Sequence, residues 1–231
     1  MRALALAIGL WAVIAGSAVG QDRPVVVELY TSQGCSSCPP ADKILAELAD
    51  RDDVIALAFH VDYWDYIGWK DQFASPKHTQ RQRNYARVAG ARSIYTPQMI
   101  VDGTDHVIGT KPMKLAKHIE EHKDRRTPVS MSLTRDGDVI RIRANSTQRL
   151  SAGATIRVAT YVSEETVAIK RGENAGRTLT YHNVVRGFQD VSTWDGAGEF
   201  RANVKVTSDN PVVVLIQEGH HGPMLAAERL R

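Results

Sequence analysis

Cysteine is almost absent from this 231-residue chain: there are two, and they stand three positions apart. A scaffold stapled by several disulfides across long loops is therefore excluded, although that is the usual employment of cysteine in exported proteins. On the chain-entropy argument so short a loop contributes only about 2 kcal/mol, less than the roughly 3 kcal/mol of a 15-residue loop, so a structural purpose is poorly served. Charge of one sign is lacking as well. The 29 basic and 26 acidic side chains leave +3, spread along the chain, which gives no argument for a nucleic-acid partner. Beyond the first twenty residues no apolar run is long enough to span a bilayer. There is no internal repeat and no low-complexity tract.

What is present begins with Met-Arg, an apolar run from Ala3 to Ala15 and the small residues Gly16 to Gly20, followed by polar Gln21 and Asp22. This is the three-part layout of a secretory signal peptide, residues 1–20, with cleavage near Gly20. A retained anchor needs roughly 20 apolar residues, more than this run offers. The expectation is an exported protein, periplasmic or secreted, with no stable membrane insertion after cleavage. A mature chain of about 210 residues suits one large or two small domains.

Pro24 to Thr31 reads as a buried strand, a valine-rich run between polar breakers. A helix follows the cysteines with Ile44, Leu45, Leu48 and Ala49 at helical spacing; Pro39 and Pro40 fit only its first turn. Val54 to Val61 is a second interior strand. After an aromatic segment, Asp62 to Phe73, Ser75 and Pro76 look like the cap and first position of a helix to about Ala89. Pro97 to Val101 and His106 to Ile108 read as strands about an Asp102-Gly103 turn. A helix from Pro112 to His122 follows, with Thr110 as its expected cap. Past the linker Asp124 to Pro128 the period changes to two. Val129 to Thr134 and Val139 to Ala144 flank Asp136-Gly137, a hairpin signal. Further strands are expected at 155–163, 166–171, 178–186, 198–206, 212–218 and 223–229. Seven or eight short strands of this kind suggest a β-sandwich over residues 128–231.

Gly34-Cys35-Ser36-Ser37-Cys38-Pro39 follows a strand and opens a helix, the context in which a Cys-X-X-Cys motif is chemically meaningful. Free amides and the positive end of the helix dipole would then lower the Cys35 pKa, making an exposed Cys35 the nucleophile and a shielded Cys38 the resolving thiol. Ser36-Ser37 adds no histidine or basic group, so the expected shift is mild. Zinc is the rival, but a closed site needs two more ligands, and His60, His78 and His106 are candidates by type only. Asp62 and Asp65 have no support as ligands. No cofactor is expected. The aromatics Tyr63, Trp64, Tyr66 and Trp69 either wall the cysteine site or cover a sheet edge. Arg81, Arg83 and Arg87 read first as a solvated helix face, with attraction of an acidic substrate as the alternative. The turns Arg171-Gly172-Glu173-Asn174 and His220-His221-Gly222 carry no chemistry the sequence reveals.

With the later run Tyr95-Thr96-Pro97-Gln98-Met99-Ile100-Val101-Asp102-Gly103, the motif resembles the thioredoxin superfamily, and this run is most similar to glutaredoxins. More specifically, ELYTSQGCSSCPPAD, HVDYWDYIGWKD and YTPQMIVDG resemble a bacterial family of secreted thioredoxin-like proteins of unassigned function, over nearly the whole mature chain. The resemblance implies an α/β thioredoxin-like domain at 24–124, ahead of the all-β sandwich that the strand pattern suggests at 128–231. It implies a cis Pro97, with Tyr95, Thr96, Ser36 and Ser37 beside the substrate, which would be protein thiols and disulfides or glutathione. By the same resemblance Glu28, in the first strand, would serve Cys38 as base with a pKa raised by burial; exposure or a plain ion pair is the alternative for this residue. The function so implied is thiol-disulfide exchange in the cell envelope. The alternative is a metal-binding or partner-binding envelope protein on the same scaffold.

Overall fold

In the computed structural model of the protein residues 23–230 are described, so the expected signal segment lies outside them. Val25–Thr31 forms β1, buried along its whole length. Strand alternation sends Val25, Val27 and Leu29 to one face and Val26, Glu28 and Tyr30 to the other. The first face packs on α1 (Pro39–Ala49) and α3 (Pro112–Lys123) through Leu45, Leu48, Leu115 and Ile119. The second packs on α2 (Pro76–Val88) through Tyr85. Ser75 caps α2 as expected, its side chain accepting from the Lys77 amide. At α3 the cap falls on Lys111 rather than Thr110 and makes no side-chain bond.

Strands β2 (Val54–His60), β3 (Gln98–Val101) and β4 (Asp105–Ile108) complete the first part of the sheet, β2 parallel to β1 and β3 antiparallel to it. The later strands are β5 (Val129–Asp136), β6 (Val139–Ser146), β7 (Ala154–Ala168), β8 (Thr178–Trp194), β9 (Phe200–Lys205), β10 (Val212–Glu218) and β11 (Met224–Leu230).

The expected division into an α/β thioredoxin-like domain and a separate β-sandwich is overturned. Strand β8 runs beside β2 in parallel, meeting it at Ala58 and Val184, and Asn183 Nδ2 donates to the Ala56 carbonyl at 2.9 Å. One mixed eight-stranded sheet results, in the order β11-β10-β7-β8-β2-β1-β3-β4, and the protein is mostly β. The second sheet is three-stranded, β5-β6-β9, and its Met131, Leu133, Ile140 and Ile142 pack on Ile156, Val158, Val214 and Ile216 of the large sheet. The two halves also interlock at the Asp102 turn, where the Met224 amide donates to the Asp102 carbonyl. An added Cβ on Gly103 would lie 2.4 Å from the Gly222 carbonyl oxygen, so a side chain there would separate the two segments. No described helix is long and apolar enough to cross a membrane.

Candidate functional site

The chain leaves β1 through Ser32-Gln33-Gly34 and turns so that Cys38 caps α1, its carbonyl accepting from the Ala41 and Asp42 amides. Cys35 and Cys38 are joined as a disulfide, their Cα atoms 5.4 Å apart. Pro39 and Pro40 occupy the first turn of α1. Proline has no N–H, so the amide-rich helix tip expected beside Cys35 is not built. The Ser36 amide, which remains, donates to Glu173 Oε2 at 3.2 Å.

Cys35 is 1% exposed, which corrects the expectation of an open sulfur; Cys38 is fully buried, and Ser36 and Ser37 are exposed. Two segments lie against the backbone of the motif. Gly34 lies under the aromatic segment, where an added Cβ would stand 3.1 Å from Trp64 Cβ and 3.2 Å from Ile67 Cδ1. The second is the tip of the β7–β8 hairpin, the turn to which the sequence assigned no chemistry; an added Cβ on its Gly172 would lie 3.3 Å from Trp69 Cβ. Buried Asn174 donates from Nδ2 to the Gln33 carbonyl at 2.9 Å and to the Cys35 carbonyl at 3.0 Å. The tip thus tethers itself to the backbone of the motif.

The Thr96-Pro97 bond is cis. The structure brings this bend to the same end of the sheet as the cysteines: Gly109, packed against Pro97, also faces Ala41 of α1, an added Cβ lying 2.9 Å from each of their Cβ atoms. Thr96 Oγ1 accepts from Trp64 Nε1 at 2.7 Å, and the Tyr95 carbonyl accepts from Gln82 Nε2. The aromatic segment therefore walls the site and does not merely cover an edge.

Glu28 is not part of it. The residue faces α2, on the opposite side of the sheet from α1, and Arg81 pairs with it side-on, Nε to Oε2 and Nη2 to Oε1, both at 2.7 Å. Burial pushes the Glu28 carboxyl up, but the Arg81 charge and the bonds from Arg81, Tyr85 and Tyr30 outweigh it and hold the group below the ordinary value. The direction is opposite to the raised pKa expected of a base, and the residue forms the ion pair that was the alternative. Arg81 is 4% exposed, so the reading of a solvated face holds for Arg83 and Arg87 alone.

Besides Glu173, which accepts from the Ser36 amide, a buried carboxyl lies near the cysteines: Asp42, one helical turn past Cys38 and therefore on the same helix face. Thr31 Oγ1 donates to its Oδ1 at 2.8 Å, while its Oδ2 is buried with no partner. Burial first, with the charge of Asp71 added, pushes its pKa up to about 7 against the bond from Thr31 and the charge of His60. His60 Nδ1 bonds Asp71 Oδ2 at 2.6 Å, and the ring of Tyr181 lies 4.9 Å from that of His60. The Asp71 carboxyl, raised by burial, is brought below its ordinary value by His60 and by the amides of Gln33 and Phe73. Asp42 Oδ2, His60 Nε2, Gln33 Nε2 and Tyr181 Oη are all buried without a partner. Buried polar atoms are normally satisfied, so four such atoms in one locality set this pocket apart from the rest of the core.

The other residues considered as ligands do not converge. His78 Nδ1 bonds the His60 carbonyl, His106 approaches Gln98, Asp62 accepts from Thr79, and Asp65 accepts from the Asp71 amide. Among the described residues no group of three or more His, Cys, Asp or Glu side chains is placed to hold a metal ion. Asp42 was missed because an acid in the first turn of a helix ordinarily reads as a solvated cap. Its spacing of four from Cys38 was the available signal.

Residues 26–217 match a family model described as "Protein of unknown function (DUF1223)". A solved structure of a protein from Agrobacterium tumefaciens is 32% identical, with a TM-score of 0.77 over 91% of this chain and 95% of that one. HBP35 of Porphyromonas gingivalis, at 15% identity, has a TM-score of 0.61 over 90% of this chain and 75% of its own, which is a likeness of fold. No curated protein matches the chain.

Proposed function

The chain belongs to the DUF1223 family, and from that premise we propose that it is a thiol-disulfide oxidoreductase of the cell envelope. The observation that carries the reading is the Cys35–Cys38 disulfide at the head of α1 with the buried, half-satisfied carboxyl of Asp42 one turn behind it. A pair so close in sequence staples little, and a buried carboxyl whose pKa is pushed up to about 7 is suited to take up and release a proton there.

In the reduced protein, Cys35 thiolate attacks one sulfur of a partner disulfide, forming a mixed disulfide and releasing the other sulfur as thiolate. Cys38 gives its proton to Asp42 and attacks the Cys35 sulfur; the partner's second thiolate leaves, and the two electrons have passed from the protein to the partner. The reverse sequence oxidises a partner dithiol. Access requires the Asn174 tip to lift, because Cys35 is covered. Tyr95 and Thr96, on the bend, and exposed Ser36 and Ser37 are the proposed contacts for a protein chain or glutathione. A disulfide suits an exported protein, and the proposed location is the periplasm or outside the cell.

The test is an insulin-type disulfide reduction assay on the mature protein beside Cys35→Ser. The proposal expects turnover from the wild type and none above background from the variant; equal rates discard it.

A further inference from the structure

On the α2 face of the sheet, a cavity of about 360 Å³ opens between α2 and strands β7 and β8. Its lining includes Lys77, Arg81, Asn84, Arg157, Asp190 and His221. Two of these are buried guanidinium groups, Arg81 at 4% and Arg157 at 2% exposure. They meet at one acceptor, Gln217 Oε1, which takes Arg157 Nη1 at 2.8 Å and Arg81 Nη2 at 3.3 Å.

Their charges are incompletely answered. Glu28 takes the Nε/Nη2 edge of Arg81, so Nη1 lies on the far side of the planar group from that carboxylate, and Nη1 is buried with no partner. Asp190 takes Arg157 Nε at 2.7 Å, but its side chain is 59% exposed, so water screens much of its charge. Counting Lys77, three cations face two carboxylates. The surplus is felt by His221: burial, then the charges of Arg81 and Arg157, then His220, against the pull of Glu28, hold its pKa down to about 4. At neutral pH its imidazole is a neutral group that can donate one hydrogen bond.

We propose that this cavity binds a small oxyanion, a carboxylate or phosphate group, with Arg157 and Lys77 as its donors and the buried Arg81 charge behind them. A guanidinium fork matches planar and tetrahedral oxyanions, and such an anion cancels the surplus charge. The site uses neither cysteine and stands whether or not the pair exchanges.

The experiment titrates the mature protein with inorganic phosphate and, separately, with acetate at low ionic strength, following the His221 ring by NMR, with His221→Gln to assign its signal. The expectation is saturable binding of at least one probe, with the His221 midpoint rising as the cations are neutralised. Which probe saturates separates the two chemistries. Lys77 is exposed, so Lys77→Glu leaves the fold intact and is expected to weaken binding by about tenfold or more, the size of one charge-assisted bond. Shifts that rise without saturation for both probes overturn the site. So does saturable binding that is unchanged in Lys77→Glu and in a second rim variant, Asn84→Asp.

Discussion

Replacing Asp42 by Asn tests the buried carboxyl through stability, without any assumption about exchange. Burial keeps Asp42 protonated to about pH 7, against 3.8 for the ordinary group. That gap of roughly three pH units corresponds to about 4 kcal/mol. The sign follows from proton counts: between about pH 4 and pH 7 the folded protein holds a proton on Asp42 that the unfolded chain has lost, so this group's contribution falls as pH rises and is level above 7. Asn carries no such dependence and keeps an oxygen for the bond from Thr31. His78 and His221, both held near pH 4, give the opposite slope in part of this window. They are common to both proteins, and subtraction removes them. Urea unfolding with the disulfide intact, at steps from pH 4 to pH 8, is expected to show wild-type stability dropping by about 4 kcal/mol relative to Asp42→Asn across the range. A difference that stays level within about 1 kcal/mol refutes the raised pKa.

Three further outcomes are expected. Asn174→Ala removes both bonds that tie the hairpin tip to the motif, about 2 kcal/mol together, and is expected to speed reduction of the disulfide by dithiothreitol by an order of magnitude or more; an unchanged rate shows that the tip is not the barrier. Glu28→Gln leaves the Arg81 charge buried and is expected to cost about 3–5 kcal/mol in chemical denaturation, while the pH profile of exchange in the folded variant stays as in the wild type. A profile that moves returns Glu28 to the site. Gly109→Ala drives a methyl against Pro97 and Ala41 at once, with an expected loss of about 1–3 kcal/mol; wild-type stability contradicts that packing.

Local signals carried the sequence a long way. Valine runs marked β1 and β2, the Ser-Pro pair marked the start of α2, and Asp136-Gly137 marked the β5–β6 hairpin, whose alternating burial follows the pattern of its residues. The cysteine pair was placed correctly as a local feature, and the cis bend at Pro97 is as the family resemblance implied. What failed was long-range. Strands β7 and β8 run unbroken to 15 and 17 residues, although polar Glu164 and Glu165 read as a break, because that stretch is more exposed than the strand's start and needs no apolar partner. A β8 that pairs with β2 at one register point leaves no periodic trace. The same failure hid the site's cover, since Asn174 lies 139 residues from Cys35, with which it bonds. Glu28 was correctly seen as sharing a face with Val26 and Tyr30, but which face meets α1 is decided by packing. Helix α2 concealed its role for a related reason: it buries His78, Arg81 and Gln82, and of these Arg81 read as part of a solvated face.

The central claim is that Cys35 attacks and Cys38 resolves. The most direct measurement gives oxidised glutathione to reduced Cys38→Ser and reduced Cys35→Ser proteins, quenches with acid and locates the adduct by peptide mass spectrometry. One glutathione on Cys35 in the first variant, and little or none on Cys38 in the second, is the result expected. No adduct on either, or a faster one on Cys38, contradicts the account.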